Sequence, residues 1–489
     1  MKYILTIDAG TTSVRALLYD KEKEEIIKIE KELFKQYFPK PAWVEHDAQE
    51  IWEKVKNCIL RVAKDIDPKE IYGIGITNQR ETTVAWDKVT GKPLYHAIVW
   101  QCRRTARYCE KLKKGNKGKI IQSKTGLIPD AYFSATKMKW LIDNVKDVRR
   151  ALVDNRLCFG TIESFLVYKL TEGKAFVTDI TNACRTMLYN IQTYEWDKEL
   201  LKIFGVPIKA LPRVVSNDEI VGVTKVLGEE IKVAGLIGDQ QSSLFGQGCF
   251  DKGMAKNTYG TGCFMLVNTG HDRIKSRKGL LTTIAYKVKH KVNYALEGSV
   301  FNAGSVVDWA IDNLGLAKDP EELTNLAKEL KNNEGIYLVP AFTGLGTPYW
   351  DMNARAIITG MTRGTDKRHI ARAVLESMAY STYDVLRTVE KDGKFKIKEL
   401  HVDGGASKND FLMQFQANIL RVLLREFNPE STCLGAVFMT GLAMGAYKDL
   451  GEIKKLIIEK KRYIPGLSIM EIKPLISGWR KAVKKSLRK

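Results

Sequence analysis

The run Tyr3-Ile4-Leu5-Thr6-Ile7 is β-rich and stops at a carboxylate and a small-residue turn, Asp8-Ala9-Gly10-Thr11-Thr12-Ser13-Val14-Arg15. Glycine lets the backbone approach closely there, so that amide and hydroxyl donors can face phosphate oxygens. Asp8 is an oxygen ligand at a strand end and suits Mg²⁺, directly or through water. A plain β-hairpin would ask for much the same residues at its turn. Strand-like runs at 3–8, 14–19 and 26–30 lead to a helical pattern over 47–66. Ile51, Val55, Ile59 and Val62 recur there at helical spacing behind a candidate N-cap, Asp47. A buried strand at 71–77 follows. Near Gly253 a similar block begins, with a strand over 254–259, the turn Gly260-Thr261-Gly262 and a return strand over 263–268. Runs at 281–288 and 292–297 and a helix-like segment over 302–313 complete it. The fold class expected is α/β: two duplicated, hairpin-led domains with a cleft between them, a place that ligands favour. The glycine-rich stretch at 245–253 marks the boundary, dividing the chain into 1–250 and 251–489.

A chain of 489 residues exceeds what a single core organises, in agreement with two domains. No run approaches the ~18 apolar residues of a membrane span, and Asp8 interrupts the N-terminal apolar stretch too early for a signal peptide. Eight scattered cysteines without a CxxC pair, and six histidines without HExxH, exclude a zinc reading. A cytoplasmic enzyme is expected. The net charge of +21 arises mostly from lysines interleaved with glutamates, as in Lys21-Glu22-Lys23-Glu24-Glu25, which reads as a solvated surface rather than a nucleic-acid footprint. The exception is the C-terminus, a basic helix expected over about 474–489 that docks by Trp479 and Val483.

Three further clusters can carry chemistry. Gly238-Asp239-Gln240-Gln241 follows an apolar run, so Asp239 sits at a strand end, where it can accept a hydroxyl proton or help hold a metal; a helix N-cap is the alternative. Asp403-Gly404-Gly405-Ala406-Ser407-Lys408-Asn409-Asp410 joins a strand to a helix, and paired glycines at a helix start admit a flat ring or a phosphate. Asn78-Gln79-Arg80-Glu81 and Trp100-Gln101-Cys102-Arg103-Arg104 each end a buried strand. An adjacent cation and carboxylate grip a polyol's hydroxyls, and an aromatic covers its carbons; a structural ion pair would look alike.

Taken together, the ordered segments DAGTTSVRA (8–16), ITNQRETTVAWD (76–87), AIVWQCRRT (97–105), TNACRTMLYNI (181–191), GDQQSSLFGQ (238–247), NTYGTGCFMLVNTG (257–270) and VDGGASKNDFLMQFQANIL (402–420) resemble the FGGY carbohydrate kinases along nearly the whole chain. That resemblance implies two ribonuclease-H-like, actin-like ATPase domains and, because of the NQRET segment, transfer of the ATP γ-phosphoryl group to glycerol O3, giving sn-glycerol 3-phosphate for glycerol catabolism. It implies ATP and Mg²⁺ as cofactors, a homodimer, and neither nucleic-acid binding nor membrane insertion. Thr11, Thr12 and Ser13 are implied at the ATP phosphates, with Arg15 near the transferred group. Thr261, Gly304, Asp308, Gly405 and Asn409 match nucleotide contacts, Asp308 standing where a glutamine is usual. Arg80, Glu81, Tyr132, Asp239 and Gln240 match glycerol contacts, with Trp100 and Phe264 on the carbons. Asp239 matches the catalytic base, and Asp8 a metal-associated carboxylate. Glu163 replaces a usual aspartate. The loop at 222–232 has neither the anion-binding pattern for fructose 1,6-bisphosphate nor a phosphorylatable histidine found in some relatives, so neither control is expected. The rivals are an FGGY kinase for another small polyol or ketose, a non-catalytic nucleotide sensor, and a nucleic-acid binder.

Overall fold

The computed structural model describes residues 1–487; Arg488 and Lys489, the end of the expected basic helix, lie outside the described residues. The chain forms two compact units. The first comprises Met1–Gly248, Thr282–Tyr294 and Thr432–Leu456, and the second comprises the segments between and after these. The single division expected at 250 therefore misses two returns to the first unit. For the later one the cause is visible. The helix Ser431–Ala443 is apolar and lies hard against the first sheet: a Cβ at Gly75 or Gly235 would stand 2.0 or 2.3 Å from Thr440 Oγ1, and one at Gly435 1.9 Å from the Ser242 carbonyl. Only glycine lets the helix approach this closely.

In the first unit, β1 (Tyr3–Ala9), β2 (Ser13–Asp20) and β3 (Glu25–Leu33) form an antiparallel meander. On its other side β1 pairs in parallel with β4 (Ile71–Asn78). Beyond β5 (Ile220–Thr224), β6 (Ile231–Gly238) pairs in parallel with β4 and antiparallel with β5. The sheet order is thus β5-β6-β4-β1-β2-β3. β1, β4 and β6 are near-continuous apolar runs because both their faces are covered. β3 alternates exposed with half-buried residues, as a charged edge strand does. Helix α1 (Ala48–Val62) starts at Asp47, whose carboxylate accepts from the Gln49 and Glu50 amides, and buries Ile51, Val55, Ile59 and Val62 as its spacing predicts. Helix α2 (Asp239–Gly246) leaves directly from β6.

The second sheet repeats the plan. β7 (Ala255–Tyr259) and β8 (Cys263–Gly270) form the hairpin, followed by β9 (Leu281–Val288) and β10 (Lys291–Val300). β11 (Glu399–Gly404) pairs in parallel with β7, β12 (Leu423–Glu426) in parallel with β11, and β13 (Lys461–Tyr463) closes the edge antiparallel. The order β9-β10-β8-β7-β11-β12-β13 matches the first sheet around a central hairpin and two parallel neighbours. The expected duplication is present. The segment expected as helical over 302–313 is so from Gly304, as an α-helix Gly304–Asp308 that widens into a π-helix Trp309–Asn313.

Helices α3 (Lys367–Gly393) and α4 (Asp410–Leu420) cover this sheet with the C-terminal α5 (Ile469–Ser486). α5 begins earlier than the 474 expected, because Ser468 and Glu471 form a reciprocal capping box. Trp479 and Val483 are buried as foreseen. The Trp479 ring stacks on Tyr380 at 5.3 Å, and its Nε1 donates to Asp384 Oδ2 at 2.7 Å, an oxygen that also accepts from Tyr349 at 2.8 Å. Burial pushes the Asp384 carboxyl up to about 6. Its folded-state value lies above the unfolded one, so the folded chain keeps the proton longer. Stability then declines as pH rises from about 4 through about 6, and stays level above. Asp384→Asn keeps both hydrogen bonds and removes the titration. Urea denaturation is expected to show wild type losing about 3 kcal/mol relative to the variant between pH 4 and pH 7; parallel pH profiles would contradict this.

Candidate active site

In an open α/β sheet, ligands collect outside the carboxyl ends of parallel strands. β1, β4 and β6 of the first unit end side by side, and each ends on candidate residues. Asp8 pairs in register with Thr77, and Thr77 with Ile237, so β1 and β6 flank β4 and their ends stand two strand spacings apart, about 10 Å. Asp8 and Asp239 therefore share one edge of one sheet in the first unit. The hairpin register also sets Asp8 opposite Arg15, and the Arg15 guanidinium grips Asp8 Oδ2 through Nε, at 3.2 Å, and Nη2. The turn is closed by the Gly10 amide donating to the Ser13 carbonyl at 3.0 Å. Thr12 is exposed on it, and Thr11 and Ser13 are half-buried. Thr11 Oγ1 accepts from Trp100 Nε1 at 3.0 Å, which ties the aromatic to the turn.

Past β4 the chain bends sharply. Glu81 has φ +61°, a left-handed conformation that costs a non-glycine residue of order 1 kcal/mol. Its carbonyl is held by the hydroxyls of Thr83, at 3.1 Å, and Ser134, at 3.0 Å. The bend turns Arg80 and Glu81 inward, and both are buried. Arg80 Nε lies 3.3 Å from Asp239 Oδ1, Nη1 donates to Gln241 Oε1 at 3.1 Å, and Nη2 to the Tyr132 hydroxyl at 3.3 Å. Tyr132 meets the Trp100 ring edge-on at 5.5 Å. Asp239 is the first residue of α2 rather than its cap, a position taken by Gly238; its Oδ1 accepts from the Gln240 amide at 2.7 Å, and its side chain is 26% exposed. The structure thus brings together Arg80, Glu81, Trp100, Tyr132, Asp239 and Gln240, with a carboxylate, a phenol and an indole among them.

Four residues that reasoning from the sequence missed hold this cluster in place. Arg185 Nε donates to Glu81 Oε1 at 2.6 Å, with both side chains almost fully buried, and its guanidinium lies over the Tyr132 and Phe133 rings. Gln241 braces Arg80. Thr181 Oγ1 accepts from the Gly238 amide at 2.9 Å, fixing the start of α2, and Asn182 exchanges hydrogen bonds with Asn78 at the end of β4. Arg185, Thr181 and Asn182 all belong to the TNACRTMLYNI segment, where charged and amide groups stand among apolar residues; that mismatch was the available signal. Beneath them Glu163 accepts from Thr161 and Thr178 at 2.7 Å, Ser164 at 3.1 Å and Asn78 at 3.0 Å. Burial and the charge of Asp179 push its carboxyl up to about 7.

The second unit offers a different surface. A cavity of about 660 Å³ is lined by Thr261, Gly304, Asp308, Gly405 and Asn409, every nucleotide-type candidate outside the first unit. The turn after β7 is clipped to the segment at 303–305, with the Ala303 and Gly304 amides donating to the Thr261 and Gly260 carbonyls at 2.8 and 3.0 Å. A Cβ on Gly304 would meet the Gly260 carbonyl at 2.6 Å, whereas one on Gly405 would meet nothing within 4 Å. Gly304 is therefore needed for packing, and Gly405 keeps the cavity open. Asn409 caps α4 through its carbonyl oxygen and donates to Thr324 at 2.8 Å. Asp308 lines the wall, its carboxyl pushed up by burial and by Asp312. Phe264 lies at the start of β8 in the second unit, in register with Thr258.

The architecture is that of sugar kinases with ribonuclease-H-like, actin-like domains. The chain matches the FGGY family of carbohydrate kinases, N-terminal domain, over residues 3–246 and the C-terminal domain of the same family over 255–444, and it belongs to that family. It is 51% identical to a protein named glycerol kinase from Bacillus thuringiensis over 488 residues, covering 99% of this chain and 98% of that one. Among solved structures it resembles Plasmodium falciparum glycerol kinase with ADP, with TM-score 0.92 and 37% identity over 100% of this chain and 99% of that one. It also resembles a ligand-bound xylulose kinase from Lactobacillus acidophilus, with TM-score 0.88 and 25% identity over 99% of both.

The Arg185–Glu81 pair permits a direct test. Removing one member of a buried ion pair strands the other and costs roughly 3–5 kcal/mol. Arg185→Met alone is expected to lose about that much in urea denaturation, and Arg185→Met with Glu81→Gln clearly less; additive losses would show that the two side chains do not depend on each other.

Proposed function

We propose that this chain transfers the γ-phosphoryl group of ATP to glycerol, releasing ADP and sn-glycerol 3-phosphate. The observation that carries the reading is the buried Arg80, whose donors fan out to Asp239, Gln241 and Tyr132 beside Glu81. Such a site answers hydroxyl groups with both donors and acceptors. The Trp100 and Tyr132 rings suit the carbons of a small polyol, and the 51% identical relatives carry the corresponding name.

In the proposed reaction the glycerol O3–phosphorus bond forms as the bond from phosphorus to the β–γ bridging oxygen breaks, and the O3 proton passes to Asp239. The transition state is loose, so positioning and charge neutralisation supply most of the rate. Asp239 orients the hydroxyl and takes its proton late. Arg80 aims the Asp239 carboxylate, and Arg15, anchored by Asp8, lies ready for the transferring oxygens. The second unit's open, glycine-lined cavity suits a nucleotide, in keeping with the ADP of the solved relative.

Among the described residues no group of three His, Cys, Asp or Glu side chains is built to hold a metal. Asp8 and Asp239, at the carboxyl ends of two strands of one sheet, suit Mg²⁺, which binds through one or two carboxylates and takes its other ligands from phosphates and water. Asp8 and Asp239 are the carboxylates in place; the ion would neutralise the nucleotide's phosphate oxygens. Eight buried cysteines, none in a disulfide, agree with a reducing, cytoplasmic setting. No helix among the described residues is long and apolar enough to cross a membrane.

A coupled ADP-release assay across glycerol, dihydroxyacetone, erythritol and xylulose is expected to give the highest kcat/KM with glycerol; a preference for a ketose would overturn the assignment. Asp239→Asn is expected to lower kcat by roughly 10²–10⁴-fold with ADP affinity nearly unchanged, and near-wild-type turnover would remove Asp239 as base.

A further inference from the structure

A second large cavity in the second unit, of about 730 Å³, shares no residue with the nucleotide-type pocket and none with the loop at 222–232. It lies between α3, the end of α4 and α5. Seven cations and no carboxylate line it, over a floor that includes Ile419, Ile472 and Ile476. Arg387 and Lys396 have a counter-charge in Glu390, at 2.6 and 3.3 Å. Of the other five, Arg480 lies close enough to Asp384 to favour its charged form, and Arg421, Lys473, Lys481 and Lys484 have no carboxylate within ion-pair distance among the described residues.

Two features separate this from the basic surface of a +21 chain. Many surface lysines pair with nearby glutamates, but along α5 Arg480 and Lys484 stand four apart, and Lys481 and Lys484 three apart, where like charges repel. Arg421 also occupies the left-handed position that ends α4, at φ +53°, a place where glycine or asparagine costs less. Capping does not account for it: the Leu420 carbonyl at that helix end already accepts from Arg387 Nη2 at 2.8 Å. A concave wall of unneutralised cations focuses potential on an anion, and the apolar floor is suited to carbon.

We propose that this cavity binds an organic anion bearing two or more phosphoryl groups, held by the cations of α3, α4 and α5 with its carbon skeleton on the isoleucine floor. The site stands independently of the assigned reaction. One phosphoryl group would leave most of the cations without a partner, whereas two or three match the four that have no counter-charge. α4 runs from Asn409 in the nucleotide-type pocket to Arg421 in this one.

The test is calorimetric titration of the full-length protein, saturated with ADP in magnesium-free buffer at physiological salt, using inorganic tripolyphosphate and, separately, vesicles containing phosphatidylglycerol. One tripolyphosphate per chain is expected. Binding should weaken at least tenfold in Arg421→Gly and in Arg480→Gln with Lys484→Gln, and should stay unchanged in Lys111→Gln with Lys114→Gln. Arg421→Gly should melt no lower than wild type, because glycine relieves the strained cap; its lost binding is then not a folding defect. Absence of tripolyphosphate binding, equal binding by all variants, or vesicle binding that tripolyphosphate cannot displace would each overturn the proposal.

Discussion

A guanidinium removed from water must find acceptors for its donors, and the burial of Arg80 organises the first unit around that demand. The acceptors come from far apart in the chain: Asp239 and Gln241 from the start of α2, Tyr132 from the segment before residue 134, and Glu81 from the next position along. They converge because β4 lies between β1 and β6 and all three strands run in parallel. Glu81 must itself be neutralised, which draws in Arg185, and it must bend the backbone into the left-handed region to point inward. Charges, strand order and backbone strain are parts of one arrangement.

Duplication gave two strand-end sites, and their chemistry has diverged. In the first unit the turn after β1 and the end of β6 carry charge, and donors and acceptors are fixed by buried pairs. In the second, the turn after β7 and the end of β11 carry glycines, and these line the cavity together with side chains such as Asp308, Thr324 and Asn409. A set of paired charges rewards a small molecule with many hydroxyl groups. An open glycine-lined wall rewards a larger ligand with a flat ring and phosphates.

Much of this was legible in the chain. The two hairpins, the long buried strands and α1 followed from apolar runs and spacing, with Asp47 as the cap that sets the start of α1. Trp479 and Val483 marked the docking face of α5. What escaped were features set by tertiary contact. The helix Ser431–Ala443 is apolar nearly all round, so its pattern does not say which sheet it covers; Gly75, Gly235 and Gly435 decide that only in three dimensions. Arg185 lies 104 positions from Glu81, and no periodicity links them. Asp8 and Arg15 were read for separate tasks, yet the hairpin register makes them direct cross-strand partners. Gly238, not Asp239, holds the cap position of α2, a distinction that the local sequence does not make.

We propose that the paired charges around Arg80 recognise each hydroxyl of the substrate individually. The most direct measurement is kcat/KM for glycerol against 1,2-propanediol and 1,3-propanediol, each lacking one hydroxyl. A site whose buried polar groups are left unpaired by the missing hydroxyl should discriminate by roughly 10⁴-fold; discrimination of only a few-fold against both diols would contradict it.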